Sequence, residues 1–482
     1  MKSSALDTPM MRQFLAIKAE HPDAVVFYRM GDFYEMFLDD AERVAPLLEI
    51  ALTTRDKGKV DAVPMCGVPV HSADAYVKRL AQLGHRVAIC EQVEDPKQTG
   101  GRRLVKREVV EVVTPGLVGD PDGIDGREEI LLVAVTCAGP RNGAALAALD
   151  ASTGDFRATA AEESEEPDLP HSLLEELQRI APREILVEAS EAEALEAVLS
   201  LHLPDSAVTR LPAAEFDSPR APVEPEGLAS CTHSGIRRVA IALLTYLGRN
   251  QHFALSHAPR LREYALGDHV VLDEATRRHL ELFENSEDRG RAGTLMDCLD
   301  ETCCAPGTRR LARWINYPEK RPAAIHERQR AVAWLFELDT VRSHLRDALR
   351  RVRDLERALA KVVRPTAVPR DLGTLRSSLQ ALPEVGAALT EAGEDLFGSL
   401  ADPSPKFPEA IVPPESLPEL TSLLSKALVD DPPVIARGSR GASEVGYIRP
   451  GFRADLDDIH QHAREGRGWI AELEASEKET TA

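Results

Sequence analysis

Residues 24–37 run Ala24-Val-Val-Phe-Tyr-Arg-Met-Gly-Asp-Phe-Tyr-Glu-Met-Phe37: a short β-branched and aromatic run, a polar break, then a second aromatic run. Ala24 to Tyr28 predicts a strand, because it is short, apolar and bounded by turn residues. Gly31 lets the backbone turn sharply. If the run beyond it is extended, Phe33 and Glu35 share one face while Tyr34 and Met36 take the other. An exposed aromatic beside a carboxylate is an unusual surface pair with a clear use on DNA. The ring can wedge between base steps from the minor groove, and the carboxylate can hydrogen-bond a displaced base edge. Unstacking costs least where pairing is already broken, so such a residue favours defective sites without reading sequence. Plain core packing is the other reading of the same pattern.

Around this stretch the first segment alternates strands and helices. Arg86-Val-Ala-Ile-Cys90 predicts a second strand. Asp39 to Leu52 places Ala41, Val44, Ala45, Leu48 and Leu52 at helical spacing. Ala73, Tyr76, Val77 and Leu80 predict another helix, with Ser72 as its N-cap. The segment is therefore small and mixed α/β. Lys97, Arg102, Arg103, Lys106 and Arg107 cluster around a Thr-Gly-Gly turn, which suits phosphate contacts, although a solvated charge run has the same look.

The whole chain has 482 residues, which suggests about three domains of roughly 150 residues each. Its net charge of −21 would ordinarily argue against a nucleic-acid partner. The acid is localised, however. Residues 1–120 carry 16 Lys/Arg against 18 Asp/Glu, and residues 121–230 carry 7 against 23, so the flanking segments stay free to meet a polyanion. Seven scattered cysteines without a C-x-x-C pair argue against both a disulfide framework and a zinc site, and they fit a reducing cytoplasm. No apolar run approaches the ~18 residues of a membrane helix, and the N-terminal residues lack the apolar core of a secretory signal.

Three stretches predict boundaries. Residues 114–129 combine Pro, Gly and Asp; residues 203–227 hold Pro204, Pro212, Pro219, Pro222 and Pro225; residues 402–418 hold six prolines. Between the first two, Ile130–Thr136 and Ala144–Leu149 predict strands, followed by helices near Leu173–Ile180 and Ala192–Leu201 with a strand, Glu184–Val187, between them: a small α/β domain. Beyond about residue 235 the pattern turns helical. Leu338, Val341, Leu345, Leu349, Val352, Leu355, Leu359 and Val362 predict one long amphipathic helix ending at Pro365, with similar neighbours over 272–284 and 304–316.

Motifs of catalysis are missing. There is no G-x-x-x-x-G-K-[S/T] phosphate loop, no G-x-G-x-x-G, no H-E-x-x-H and no G-x-S-x-G. Asp150 at a strand end raises the thought of a nuclease carboxylate, but two-metal chemistry needs several convergent carboxylates and none stands at a comparable place nearby.

The stretch from Thr8-Pro9-Met10 through Phe37 closely resembles the N-terminal mismatch-binding domain of the MutS family of bacterial DNA mismatch repair proteins. So do Pro64-Met-Cys-Gly-Val-Pro69, Ala88-Ile-Cys-Glu-Gln92, Val113-Thr-Pro-Gly116, Leu272-Asp-Glu-Ala-Thr-Arg277, Arg353-Asp-Leu-Glu-Arg357 and Ile448-Arg-Pro-Gly451. The resemblance runs in order through nearly all of the chain. It implies a multidomain α/β plus all-α protein: a mismatch-binding domain over 1–115, a linker over 116–129, an RNase H-like connector over 130–250, the first half of a helical core or lever domain over 251–445, and the start of a clamp over 446–482. It implies that Phe33 stacks as a wedge at the mispair and Glu35 hydrogen-bonds the base. It places Arg55 and Arg107 at backbone-contacting positions, beside the phosphate contacts expected of Lys97, Arg102, Arg103 and Lys106. Expected partners are double-stranded DNA with mismatches or small insertion/deletion loops, MutL at the connector, and a second copy in a homodimer, in the cytoplasm at the nucleoid. Family members continue into a DNA-dependent ATPase domain that uses ATP and Mg2+. This chain shows no Walker A motif, so it is expected to be a front portion with no cofactor and no ATP hydrolysis of its own. The alternative expectation is a DNA-inactive interaction module that binds repair partners such as MutL through its connector.

Overall fold

The computed structural model describes residues 8–55, 62–94, 105–117, 126–137, 143–161, 169–256, 260–397, 411–433 and 446–481. Its first unit holds helix α1 (Pro9–Glu20), strands β1 (Ala24–Met30) and β2 (Phe33–Phe37), α2 (Leu38–Leu48), β3 (Thr53–Arg55), β4 (Val63–Pro69), α3 (Ala73–Gln82), β5 (Arg86–Gln92) and β6 (Arg107–Val113). The six strands form one sheet in the order β3-β4-β2-β1-β5-β6, with β1 and β5 parallel and the other neighbours antiparallel. Val25, Phe27, Tyr34 and Met36 pack on one face with α2 and α3; Val26, Tyr28 and Phe37 pack on the other with α1. Phe14 of α1 meets Tyr28 and Phe37 edge-on, with ring centroids 5.9 and 5.1 Å away.

Two local expectations are corrected here. The helix expected to reach Leu52 stops at Leu48, because Glu49 turns left-handed (φ 57°) and Ile50 N–H closes back onto Ala45 O at 3.0 Å. Ser72 precedes α3, but its hydroxyl donates to Pro69 O at 3.1 Å and caps nothing.

The second unit holds β7 (Leu132–Thr136), β8 (Ala145–Asp150), β9 (Asp155–Ala160), α4 (His171–Ile180), β10 (Glu184–Glu188), α5 (Ala192–His202), β11 (Ala207–Leu211), α6 (Ala213–Phe216), α7 (Ser234–Asn250) and β12 (Leu261–Glu263). Its sheet runs β11-β10-β7-β8-β9-β12, an antiparallel meander of β7, β8 and β9 flanked by parallel strands. Alternation splits the strands cleanly. Leu132, Ala134 and Leu149 face α7, while Val133, Val135 and Ala148 face α4 and α5. The edge strand β12 comes from beyond residue 250. Asp150 is buried and spends its carboxylate on the turn, accepting from Ser152 N (2.9 Å) and Oγ (2.6 Å) and from Ile130 N (3.3 Å). No group of three metal-ligating side chains stands together among the described residues.

The remainder is helical: α8 (Glu274–His279), α9 (Leu295–Leu299), α10 (Ala305–Asn316), α11 (Pro322–Glu337), α12 (Asp339–Arg351), α13 (Leu355–Val362), α14 (Pro369–Phe397), α15 (Pro418–Ala427) and α16 (Ala454–Thr481). Among the described residues no helix is long and apolar enough to cross a membrane. The single helix expected over 338–362 is two helices. The chain extends at Val352, and Asp354 restarts it by accepting from Arg357 N–H at 3.3 Å. The apolar period survives the break but serves two clusters. Leu338, Val341 and Leu345 pack with Trp334 and Leu389, whereas Leu355 and Val362 pack with Leu375, Leu379, Leu424 and Leu428. The helix expected over 272–284 is shorter too, confined to α8 because Glu281 takes a positive φ of 47°.

Candidate nucleic-acid interface

Met30 pairs with Phe33, so only Gly31 and Asp32 connect β1 to β2. Gly31 has φ +62° and Asp32 does not share the positive sign, the pattern of a two-residue II′ hairpin turn that requires glycine first. Phe33 is 47% exposed while Tyr34, one residue on, is buried. Tyr34 and Arg29 both bond Glu91 of β5 on the opposite face, which holds the hairpin down from behind.

Along the face of Phe33, alternation brings Glu35 next, directly opposite Gly67 of β4. A Cβ at position 67 would lie 3.1 Å from Tyr34 O, tighter than an ordinary contact, so the glycine lets β4 approach the backbone of β2 there. Arg55 of β3 stands on the same side. Its Nη1 lies 3.5 Å from Glu35 Oε2, its guanidinium rests 6.0 Å above the Phe37 ring, and more than a third of its side chain stays exposed. That separation is an ion pair without hydrogen-bond geometry, and Glu35 Oε2 is sheltered from solvent with no hydrogen-bond partner. Burial pushes the Glu35 carboxyl above its ordinary range despite the opposing pull of Arg55 and Arg107. A carboxyl in that condition is poised to accept or donate one further hydrogen bond.

Arg107 sits beneath the same hairpin with its guanidinium engaged. It donates to Arg29 O (2.7 Å) and Val105 O (3.0 Å), meets Met30 Sδ at 3.5 Å, and stacks 4.9 Å over the Tyr28 ring. It is 7% exposed and braces the turn from inside. Lys106 is at the surface, where its amide donates to Glu94 at 2.9 Å and its ammonium pairs with Glu108. Lys97, Arg102 and Arg103 lie outside the described residues. The structure thus brings Phe33, Glu35 and Arg55 onto one open sheet face, with Arg107 as its support. Gly67 and Met30 belong to the same construction; the Met-Cys-Gly-Val-Pro run around Gly67 was the available signal, and it carried no register by itself.

What the face offers is an exposed ring, an unsatisfied carboxyl and a partly free guanidinium, all held by sheet backbone. That set can stack on a base, bond its edge and meet a phosphate. Comparison with known proteins points to one family. A family model described as MutS domain I matches residues 8–122, and one described as MutS domain III matches residues 275–480. The chain is 39% identical over 489 residues to the DNA mismatch repair protein MutS of Syntrophobacter fumaroxidans, covering 98% of this chain and 52% of the relative. The protein of the same name from Symbiobacterium thermophilum is 38% identical, with 98% and 53% covered. That of Anaeromyxobacter dehalogenans is 41% identical, with 98% and 51% covered. The chain spans about half the length of these relatives.

Proposed function

The chain belongs to the MutS family, and on that premise we propose that it recognises mispaired or looped positions in double-stranded DNA within mismatch repair. Phe33 enters the weakened base step from the minor groove, Glu35 hydrogen-bonds the exposed base edge, and Arg55 meets the adjacent backbone. The observation that carries this is the exposure of Phe33 at 47% on a turn whose every other aromatic is buried, directly beside a carboxyl with an unpartnered oxygen. Wedging costs a few kcal/mol of unstacking, and that cost is lowest where pairing is defective, so the ring discriminates by deformability and not by sequence.

In this proposal the second unit is the RNase H-like connector and a surface for MutL; its meander followed by two parallel strands suits that fold. The helices beyond it form the core and lever, and the working protein is a homodimer in the cytoplasm. ATP and Mg2+ belong to the part of the longer relatives that this chain does not span. The sequence here holds no G-x-x-x-x-G-K-[S/T] phosphate loop. No observation favours an interaction module without DNA contact over the exposed wedge.

The test compares affinity for a perfect and a G·T-mismatched duplex at one stated salt concentration, with Phe33→Ala alongside. Loss of base stacking on an aromatic is worth about 1–3 kcal/mol, so the substitution is expected to remove roughly a tenfold or greater preference for the mismatch. Equal affinities that the substitution leaves unchanged would overturn the proposal.

A further inference from the structure

Strand β6 carries Arg107 and Glu111 four positions apart, and they do different things. Arg107, opposite Gln92, braces the Phe33 hairpin. The ladder then slips: Val109 pairs with Cys90 but Glu111 pairs with Ile89, so Val110 is one residue more than β5 supplies. Without that bulge Glu111 would share the α1 face with Arg107. With it, Glu111 is turned to the other face, and bulges that re-aim a side chain in this way are built features of a sheet.

Re-aimed, Glu111 leaves its own unit. It is 2% exposed, and its two oxygens accept from Gln251 Nε2 at 3.0 Å and Arg364 Nη2 at 2.8 Å. Gln251 directly follows α7 of the second unit, and Arg364 stands just past α13 of the helical unit. A single carboxylate in the recognition sheet therefore holds donors from both other parts of the molecule, across 140 and 253 residues of chain. Beside it, Arg86 donates to Asn250 Oδ1 at 3.2 Å and lies 5.7 Å over the Tyr246 ring. Charged hydrogen bonds made in a water-excluded joint are directional, so this joint specifies an orientation where an apolar contact would allow sliding.

We infer that Glu111 is a positioning residue: through Gln251 and Arg364 it fixes how the recognition sheet is oriented on the connector and the lever, with β6 as the rigid member between hairpin and joint. This rests on the reading of Phe33 as the DNA-contacting wedge, for which the orientation matters.

The experiment uses the full chain with Cys298, Cys303 and Cys304 replaced by serine and spin labels at Leu83→Cys and Val332→Cys, both exposed positions. Pulsed dipolar spectroscopy reads the distance distribution between recognition unit and lever. The unsubstituted joint is expected to give one narrow distance. Glu111→Ala or Arg364→Ala is expected about to double its width, since relative motion is what domains do without a specific interface. The charge-exchanged pair E111R/R364E is expected to narrow it again, which a merely structural loss would not do. Gln251→Ala, which spares the ion pair, should broaden it less. Distributions as narrow as the parent's in both single variants would overturn the inference, as would an exchanged pair no narrower than the singles. Phe33→Ala is the separate control: it should abolish mismatch preference at unchanged distance. A preference that survives Phe33→Ala while Glu111→Ala broadens the distance would count against the wedge and leave the joint standing.

Discussion

Glu35 is the residue whose environment makes the sharpest statement. Its carboxyl is held above the ordinary range by burial, which means that the folded protein takes up its proton more readily than the unfolded chain does. The stability tied to that proton is present below the unfolded value near pH 4.3 and is lost as pH rises through the raised folded value. Burial disfavours the ionised form, so the neutral isostere Glu35→Gln should raise thermal stability at neutral pH relative to the parent. The gain should shrink toward acid, which melting curves at neutral pH and at a pH near the unfolded value would read. Duplex affinity of the parent should rise as pH falls through the same range, and that rise should be absent from Glu35→Gln. A parallel rise in both would place the titrating group elsewhere.

The element that decides whether this residue can work is the β1–β2 hairpin. Nothing lies within 4 Å of the position a Gly31 Cβ would take, so the glycine is required by its φ of +62° and not by space. Gly31→Ala should therefore cost about 1–2 kcal/mol in backbone strain without any clash. The chain can relieve that strain only by reshaping the turn, which moves Phe33. Mismatch preference should accordingly fall with Gly31→Ala even at temperatures where the protein remains folded, as circular dichroism beside the binding titration would show. Undiminished preference in a folded variant would mean that the turn's shape is not what presents the ring. Gly67 acts on the neighbouring strand by a different means, through the close approach to Tyr34 O that a Cβ there would crowd.

Over the whole molecule the units are joined by buried charge. Arg309, 6% exposed, donates to both oxygens of Asp354 (2.6 and 2.9 Å), to Glu356 (2.6 Å) and to Gly126 O (2.6 Å). Arg313 reaches Glu129 and Asp155, and Arg357 reaches Glu128 O, so the residues entering the second sheet are gripped by the helical unit. Glu176 of α4 receives the hydroxyls of Tyr264 (2.7 Å) and Tyr317 (2.6 Å) in the same manner. Asp354→Ala removes two hydrogen bonds of Arg309, which keeps Glu356 and Gly126 O, and it also deletes the cap of α13, so it should cost about 2–3 kcal/mol. Denaturant titration should show an earlier loss of helical signal with the recognition sheet's transition unmoved; an unchanged curve would mean that Arg309 finds another partner.

Much of the recognition face was legible in the residues alone. The alternation that sets Phe33 and Glu35 against Tyr34 and Met36, the turn at Gly31, and the strands at Ala24 and Arg86 all follow from periodicity and from φ preferences, which act within a few residues of chain. The apolar period from Leu338 to Val362 was equally real, yet it could not say that the helix breaks at Val352, because the break is made by Arg309 and Ser378 drawing on Asp354 and Arg353 from other helices. Nor could it say that Arg107 spends its charge inside the fold, that β12 completes a sheet from beyond the expected boundary, or that one extra residue at Val110 sends Glu111 across to Gln251 and Arg364. Local sequence determined which side of a strand each residue takes and where the backbone turns. Tertiary structure decided which charges are exposed and which are buried with partners, because those partners arrive from 45 to 253 residues away and no local pattern contains them.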